Sequence, residues 1–305
     1  MRVLPGRVKA NQHLAFSPDG QHLVCGGNGR GVAIWNVATS DPPTTTLTQA
    51  HGPLALHFDT DTGRLYAAFH GSGVWTRTPA GVERKLAFPD GQPSQIGGIV
   101  FAPDGSWLTF SHYQMSQEMV GTFKLTRHAL DGDRVGEQVW QINEEHVWDG
   151  PFAYRSDAGL LVGARASSRH FVSRNPADGA TAGSHPYQTR PNETIAGWTV
   201  SPDGDRVAFT TRDRVRVLDL ATGGEAELPV EEGSVGRSLA YHPGGQFLAV
   251  AAGDGVKLLD AGTLAEVRAL SWGNGRVRTV AFAPDGMTAA TAGERGWVTV
   301  WDVDV

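Results

Sequence analysis

The sequence predicts an all-β protein built from seven like units, each of four antiparallel strands. Three observations predict it: a segment that recurs along the chain, a turn signal inside every copy, and a composition without helical pattern. The segments "LAFSPDGQHLV", "LHFDTDTGRLY", "IVFAPDGSWLT", "FAYRSDAGLLV", "WTVSPDGDRVA", "LAYHPGGQFLA" and "VAFAPDGMTAA" align on Phe16, Phe58, Phe101, Tyr154, Val200, Tyr241 and Phe282. Successive spacings are 42, 43, 53, 46, 41 and 41 residues, with the added length in the third unit and, less, in the fourth. Self-similarity at such a period marks an architecture made by stacking one supersecondary unit. With 39 Gly, 17 Pro and only 19% charged residues in 305, the composition favours many short strands over long amphipathic helices.

Each unit can be justified strand by strand. The first strand ends at the anchor residue, and a turn of Pro-Asp-Gly type follows, in which Pro presets φ and Gly accepts the positive φ that closes the hairpin. The second strand is the apolar run after the turn. About 19 residues past the anchor comes the third, read as "VAIWNV", "VWTRT", "FVSRN", "VRVLDL", "VKLLDA" and "VTVWDV". A less regular fourth, such as "AEVRAL", precedes the next anchor. The "FPDG" at Phe88 to Gly91 imitates the turn but sits thirteen residues before Phe101, so it belongs to a connecting loop. Cys25, the only cysteine, lies in "LVCGG" and reads as a small buried core residue; it excludes an intramolecular disulfide.

A four-stranded unit repeated seven times resembles the WD-repeat (WD40-type) β-propeller family, here as a divergent, bacterial-like member. The residues carrying the resemblance are the anchor-turn segments together with Trp35-Asn36, Leu218-Asp219, Leu259-Asp260 and Trp301-Asp302 at the ends of third strands. The resemblance implies a single seven-bladed propeller domain over 1–305. The family's Gly-His pair survives only as a reversed His51-Gly52, and Arg77 and Arg174 stand where Trp is expected. In the third unit that position falls on Thr126 or Arg127. The family's buried Asp-His-Ser/Thr-Trp network is therefore not expected in full.

The chain stops four residues after Trp301, at the end of a third strand. A blade left with three strands would present an unpaired edge, a template for aggregation. Leu4 lies twelve residues before Phe16, as Leu270 lies twelve before Phe282. The matching phase predicts that Arg2 to Leu4 supply the fourth strand of the seventh blade, so that residues 1–6 complete it and the ring closes within one monomeric chain.

The net charge of −6 and the lack of a Lys/Arg block argue against nucleic-acid and membrane-surface partners. No secretory leader and no apolar run of spanning length is read, so a cytoplasmic home is the expectation. No phosphate loop, zinc helix, nucleophile elbow or Cys-His pair occurs with usable spacing, so no catalytic residue, metal or cofactor is assigned. "GGNGRG" at 26–31 lies between two strands and reads as a tight hairpin. "DTDTG" at 59–63 resembles the start of a calcium loop but occupies the repeat's turn, and the turn reading wins because further acidic ligands are missing.

Function is expected where the repeat is broken, since loops carry specificity on rigid scaffolds. Two irregular segments stand out: "SHYQMSQEMVG", 111–121, read as a long loop between strands two and three of the third unit, and "NEEHVWDG", 143–150, the connection to the fourth. Alternation of strand direction puts both at the same end of the blades. Together they present Tyr113, Met115, Glu118, Met119, Glu144, Glu145, His146, Trp148 and Asp149. Aromatic and Met anchors ringed by carboxylates suit a protein or peptide partner, with a basic segment favoured. The competing expectation is that Trp148 fills the gap between units and that Tyr113 and Met115 pack their own hairpin. Trp272 is a weaker candidate, and Tyr187 should pack inward from an outer strand. An alternative function is an enzyme or small-ligand binder of the lactonase or lyase type, with His112, Glu145 and His146 converging on a central channel.

Overall fold

Every blade begins with the anchor strand that the repeat marks. The computed structural model describes the chain except residues 7, 9–10, 28–30, 40, 90–95, 116–120, 145–152, 156–158, 166–168, 191–192, 231–234 and 305. Among the described residues the chain forms 28 strands in seven four-stranded antiparallel sheets, with no helix. The opening strand is β1 (Arg2–Leu4). Blade 1 comprises β2 (Asn11–Phe16), β3 (His22–Gly27), β4 (Val32–Asn36) and β5 (Thr44–Thr46), and blade 2 comprises β6 (Pro53–Phe58), β7 (Leu65–Phe69), β8 (Gly73–Arg77) and β9 (Glu83–Lys85). Blade 3 is β10 (Ile96–Phe101), β11 (Trp107–Met115), β12 (Gly121–Asp131) and β13 (Arg134–Glu144). Blade 4 is β14 (Ala153–Arg155), β15 (Leu160–Arg165), β16 (His170–Arg174) and β17 (Thr181–Pro186). Blade 5 is β18 (Gly197–Val200), β19 (Arg206–Thr210), β20 (Arg214–Asp219) and β21 (Glu225–Pro229). Blade 6 is β22 (Val235–Tyr241), β23 (Phe247–Ala252), β24 (Gly255–Asp260) and β25 (Glu266–Ser271). Blade 7 takes β26 (Val277–Phe282), β27 (Thr288–Gly293) and β28 (Val298–Asp302), with β1 as its fourth strand.

The register is the same in all seven blades. Anchor, second-strand and third-strand residues pair in rows: Phe16–Leu23–Trp35, Phe58–Leu65–Arg77, Tyr154–Leu161–Arg174, Val200–Val207–Leu218, Tyr241–Leu248–Leu259 and Phe282–Ala289–Trp301. In blade 3 the row is Phe101–Leu108–His128. This corrects the sequence expectation of Thr126 or Arg127, which followed from assigning the inserted residues to a loop. They lengthen the strands instead and carry the count two positions further than Thr126. Such register is strongly specified because a slip of one residue would turn each buried row outward.

The contacts divide the chain into two compact units, 1–48 with 189–305 and 49–188. The first holds blades 5, 6, 7 and 1, whose first strands neighbour one another as β18 with β22, β22 with β26 and β26 with β2. Its seam is the expected one: Arg2, Val3 and Leu4 pair with Val300, Thr299 and Val298. Leu4 is 1% exposed and packs with Leu23, Cys25, Trp35, Val298 and Val300. The Trp35 indole Nε1–H donates to the Pro5 carbonyl at 2.8 Å, and the N-terminal ammonium lies 3.3 Å from Asp302. Trp35 thus spends its indole donor on the N-terminal strand, while the Trp301 donor meets no acceptor among the described residues. Cys25 is fully buried, and burial pushes its thiol pKa up.

The second unit holds blades 2, 3 and 4. Between blades 2 and 3, His57 stacks on Phe101 with centroids 5.5 Å apart, and its Nε2–H donates to the Ala102 carbonyl at 3.0 Å. Burial lowers the His57 pKa to about 4. The Asp59 carboxylate accepts from the Thr62 backbone at 2.6 Å and from its hydroxyl, so "DTDTG" is a side-chain-closed turn. Arg174, in the place of a Trp, turns back on its own hairpin and donates to the Gly179 carbonyl at 2.9 Å.

Candidate functional site

Blade 3 departs from the repeat in strand length before it departs in loops. Second and third strands elsewhere run five or six residues, whereas β11 has 9 and β12 and β13 have 11 each. The segment 111–121, expected to be a loop, is for its first half a continuation of β11: Ser111 to Met115 pair in order with Leu125, Lys124, Phe123, Thr122 and Gly121. A backbone with a neighbouring strand at hand pairs its N–H and C=O groups whatever the polarity of its side chains, and here that lengthens the hairpin.

The pairing places the backbone of Tyr113, Met115 and Glu144 at one end of blade 3. Tyr113 lies opposite Phe123 and Phe123 opposite Glu144, so Tyr113 and Glu144 share one end of the sheet, with Met115 two residues further out. Glu118, Met119, Glu145, His146, Trp148 and Asp149 lie outside the described residues. The strands that lead into these two segments, β11 and β13, end at the same end of blade 3.

Under this end lies a dense aromatic pile. Phe110 stacks parallel on His128 at 5.8 Å, Phe88 meets both edge-on at 5.5 and 5.4 Å, and the His112 ring packs 5.2 Å from Phe110. Phe88, from the "FPDG" connection, is thus buried as the cover of blade 3. His128 is 3% exposed, and its Nδ1–H donates to the Gly136 carbonyl at 3.1 Å. His112 Nε2 hydrogen-bonds the Thr126 hydroxyl at 3.0 Å, and burial lowers its pKa to about 4. The ring is therefore neutral at physiological pH and committed to the blade. Towards blade 4, Arg127 lies over the Trp107 ring at 5.0 Å and donates to the Pro176 carbonyl, which also accepts the Trp140 indole N–H at 2.7 Å. These contacts hold blade 3 as a stiff base for what its end presents.

Two lesser candidates resolve as packing. Trp272 is half-buried against Trp301, centroids 6.0 Å apart, and Tyr187 is 3% exposed against Phe171 at 5.0 Å. A feature not foreseen from sequence is a groove of about 690 Å³ between β9 and the β12–β13 turn, floored by Leu130 and Val135 and rimmed by Arg84, Lys85, Asp133 and Arg134. Arg84 spans it to Asp133 at 2.5 Å. Its rim mixes both signs of charge and so selects neither. No pattern in one sequence would reveal it, because its walls come from a strand and a turn whose spanning pair, Arg84 and Asp133, is 49 residues apart.

Residues 6–36 and 266–302 match the family model of the WD domain, G-beta repeat. These windows hold the first three strands of blade 1 and, from β25 onward, blade 7, and they contain the two third-strand tryptophans, Trp35 and Trp301. Over 106 residues the chain is 33% identical to meiotic recombination protein rec14 of Schizosaccharomyces pombe, covering 34% of this chain and 35% of that protein. The match thus spans about a third of that relative's length. Seven four-stranded blades in one register, with the family model matching in the two that meet at the N-terminal strand, are the features in which the chain is similar to WD-repeat β-propellers.

Proposed function

We propose that the protein is a non-catalytic interaction scaffold, a monomeric cytoplasmic propeller that holds a protein or peptide at the outer end of blade 3 and the connection to blade 4. The observation that carries this reading is the strand overrun of blade 3, a departure from an otherwise constant register, raised on a packed aromatic base. WD-repeat propellers generally mediate protein interactions, and the partial likeness to rec14 fits a scaffold of that kind. Tyr113 and Met115, the two further anchors Met119 and Trp148, and the acids Glu118, Glu144, Glu145 and Asp149 make a set that favours a partner segment carrying Lys or Arg. Against the channel-enzyme alternative stands His112, whose Nε2 is spent on Thr126 inside the blade.

The test is affinity capture from native lysate with the intact protein and with a version whose residues 112–120 are replaced by Gly-Ser. Partners retained by the intact protein should be missing from the replaced one. Identical recoveries would remove blade 3 as the site.

A further inference from the structure

Histidines packed into the blades spend their ring nitrogens there. His57 Nε2–H donates to the Ala102 carbonyl at 3.0 Å, His128 bonds the Gly136 carbonyl at 3.1 Å, and His112 bonds the Thr126 hydroxyl at 3.0 Å. His242 reaches Gln246 with one nitrogen and the Gly286 carbonyl with the other, both at 3.1 Å. His51 and His70 differ in kind. Both are exposed, and neither makes a hydrogen bond or an ion pair among the described residues. Their ring contact is with each other, edge to face, with centroids 6.4 Å apart and planes at 77°.

The two histidines stand nineteen residues apart in the chain, so no chelating motif joins them in sequence. The first hairpin of blade 2 brings them together. Pro53 of β6 pairs with Phe69 of β7, which sets the residue two before one strand beside the residue just after the other. His70 opens the turn from β7 to β8, where Phe69 pairs with Gly73 and the Ser72 N–H donates to the Phe69 carbonyl at 3.3 Å. Gly71 at φ +68° and Gly73 at φ +80° let the chain reverse in so few residues. Phe69 and Pro53 are both buried. The backbone under the pair is therefore fixed, while the exposed rings remain free to change rotamer.

We infer that His51 and His70 are a chelating pair for one divalent transition-metal ion of the zinc class. Imidazole nitrogen suits such ions, and a neutral ring offers one lone-pair nitrogen in either tautomer. Two imidazoles on one tetrahedral ion, at Zn–N of ~2.0–2.1 Å, have centroids about 5.2 Å apart, so these rings close by about 1 Å through side-chain torsions alone. No third His, Cys, Asp or Glu among the described residues joins them. The remaining positions go to water, which makes this an open site rather than a closed structural centre. The absence of a carboxylate from that group also sets it against Mg²⁺ and Ca²⁺, which take oxygen ligands. The pair belongs to blade 2 and does not depend on the reading of blade 3.

The test titrates Zn²⁺, with Mg²⁺ as control, into the untagged full chain by calorimetry and follows the histidine ring resonances by NMR. Wild type is compared with His51→Ala, His70→Ala and His22→Ala, the last a histidine outside the pair, and equal melting curves confirm that the variants fold. One Zn²⁺ per chain is expected, with affinity at least tenfold lower in His51→Ala and in His70→Ala, unchanged in His22→Ala, and no heat from Mg²⁺. In wild type the His51 and His70 rings should shift together and saturate at one equivalent, a readout that needs no variant. Several results would overturn the chelating pair. They are no binding at millimolar Zn²⁺, binding that survives both alanine substitutions, loss with only one of them, and equal weakening by His22→Ala, which means adventitious surface binding only. Zinc-dependent dimerisation that either substitution abolishes would overturn chelation within one chain.

Discussion

The seam of blade 7 and the outer end of blade 3 are the same repeat treated in opposite ways. At the seam three strands would leave β28 with an open edge, and the N-terminal β1 covers it, with Leu4 1% exposed and the Pro5 carbonyl bound by Trp35. At blade 3 the inserted residues lengthen β11, β12 and β13 to 9, 11 and 11 residues, each pairing with its neighbour in the sheet. The difference teaches that one repeat accommodates opposite changes in length, a fourth strand supplied from residues 2–4 at the seam and inserted residues taken up as longer strands in blade 3.

Deleting residues 1–6 should break this contrast most severely, because it leaves β28 with an open edge. Burial of Leu4 is worth about 2–3 kcal/mol, and the β1 ladder and the Pro5 bond about 1 kcal/mol each. At ~2–4 °C per kcal/mol this predicts a melting temperature lower by roughly 10 °C. An unchanged melt would mean that the seam is not what holds blade 7. Leu4→Ala isolates the packing share and should cost about 2–3 kcal/mol in denaturant titration, without new self-association.

Next in size is a pH effect from histidines whose pKa burial lowers, His13 in the first unit and His57 and His112 in the second, of which His57 is the one to test. The His57 pKa is lowered by burial to about 4, below its ordinary 6.5. Between these values the unfolded chain binds a proton that the folded blade refuses, so stability should fall as pH drops from 6.5 to 4, by about 1–3 kcal/mol for this group. His57→Gln, which keeps a donor for the Ala102 carbonyl, should flatten that part of the melting-temperature profile. An identical profile would show that His57 is not excluded from water.

Trp35→Phe keeps the ring in the seam but strands the Pro5 carbonyl, and should cost about 1–2 kcal/mol.

Much of the fold is legible in the chain itself. The seven anchors, their turns and the phase of Leu4 against Leu270 fix which residues pair, because a buried two-residue alternation tolerates no slip. The buried state of Cys25 and the turn at Asp59 follow from the same pattern. Of the candidate site, what could be read from strand direction is that β11 and β13 end at the same end of blade 3. What misled was the insertion. Counted as loop, it put Thr126 or Arg127 in the Trp position, which pairing gives to His128.

Sequence alone determined the number of blades, their register and the use of the N-terminus as a fourth strand, since each depends on periodicity and on the need to cover an edge. Only the tertiary structure decided how the extra residues of blade 3 are spent, that Phe88 covers Phe110 and His128, and that β11 pairs with β12 out to Met115. Backbone pairing is indifferent to side-chain pattern, and packing joins residues distant in sequence. Neither therefore leaves a signature that a single chain displays before it folds.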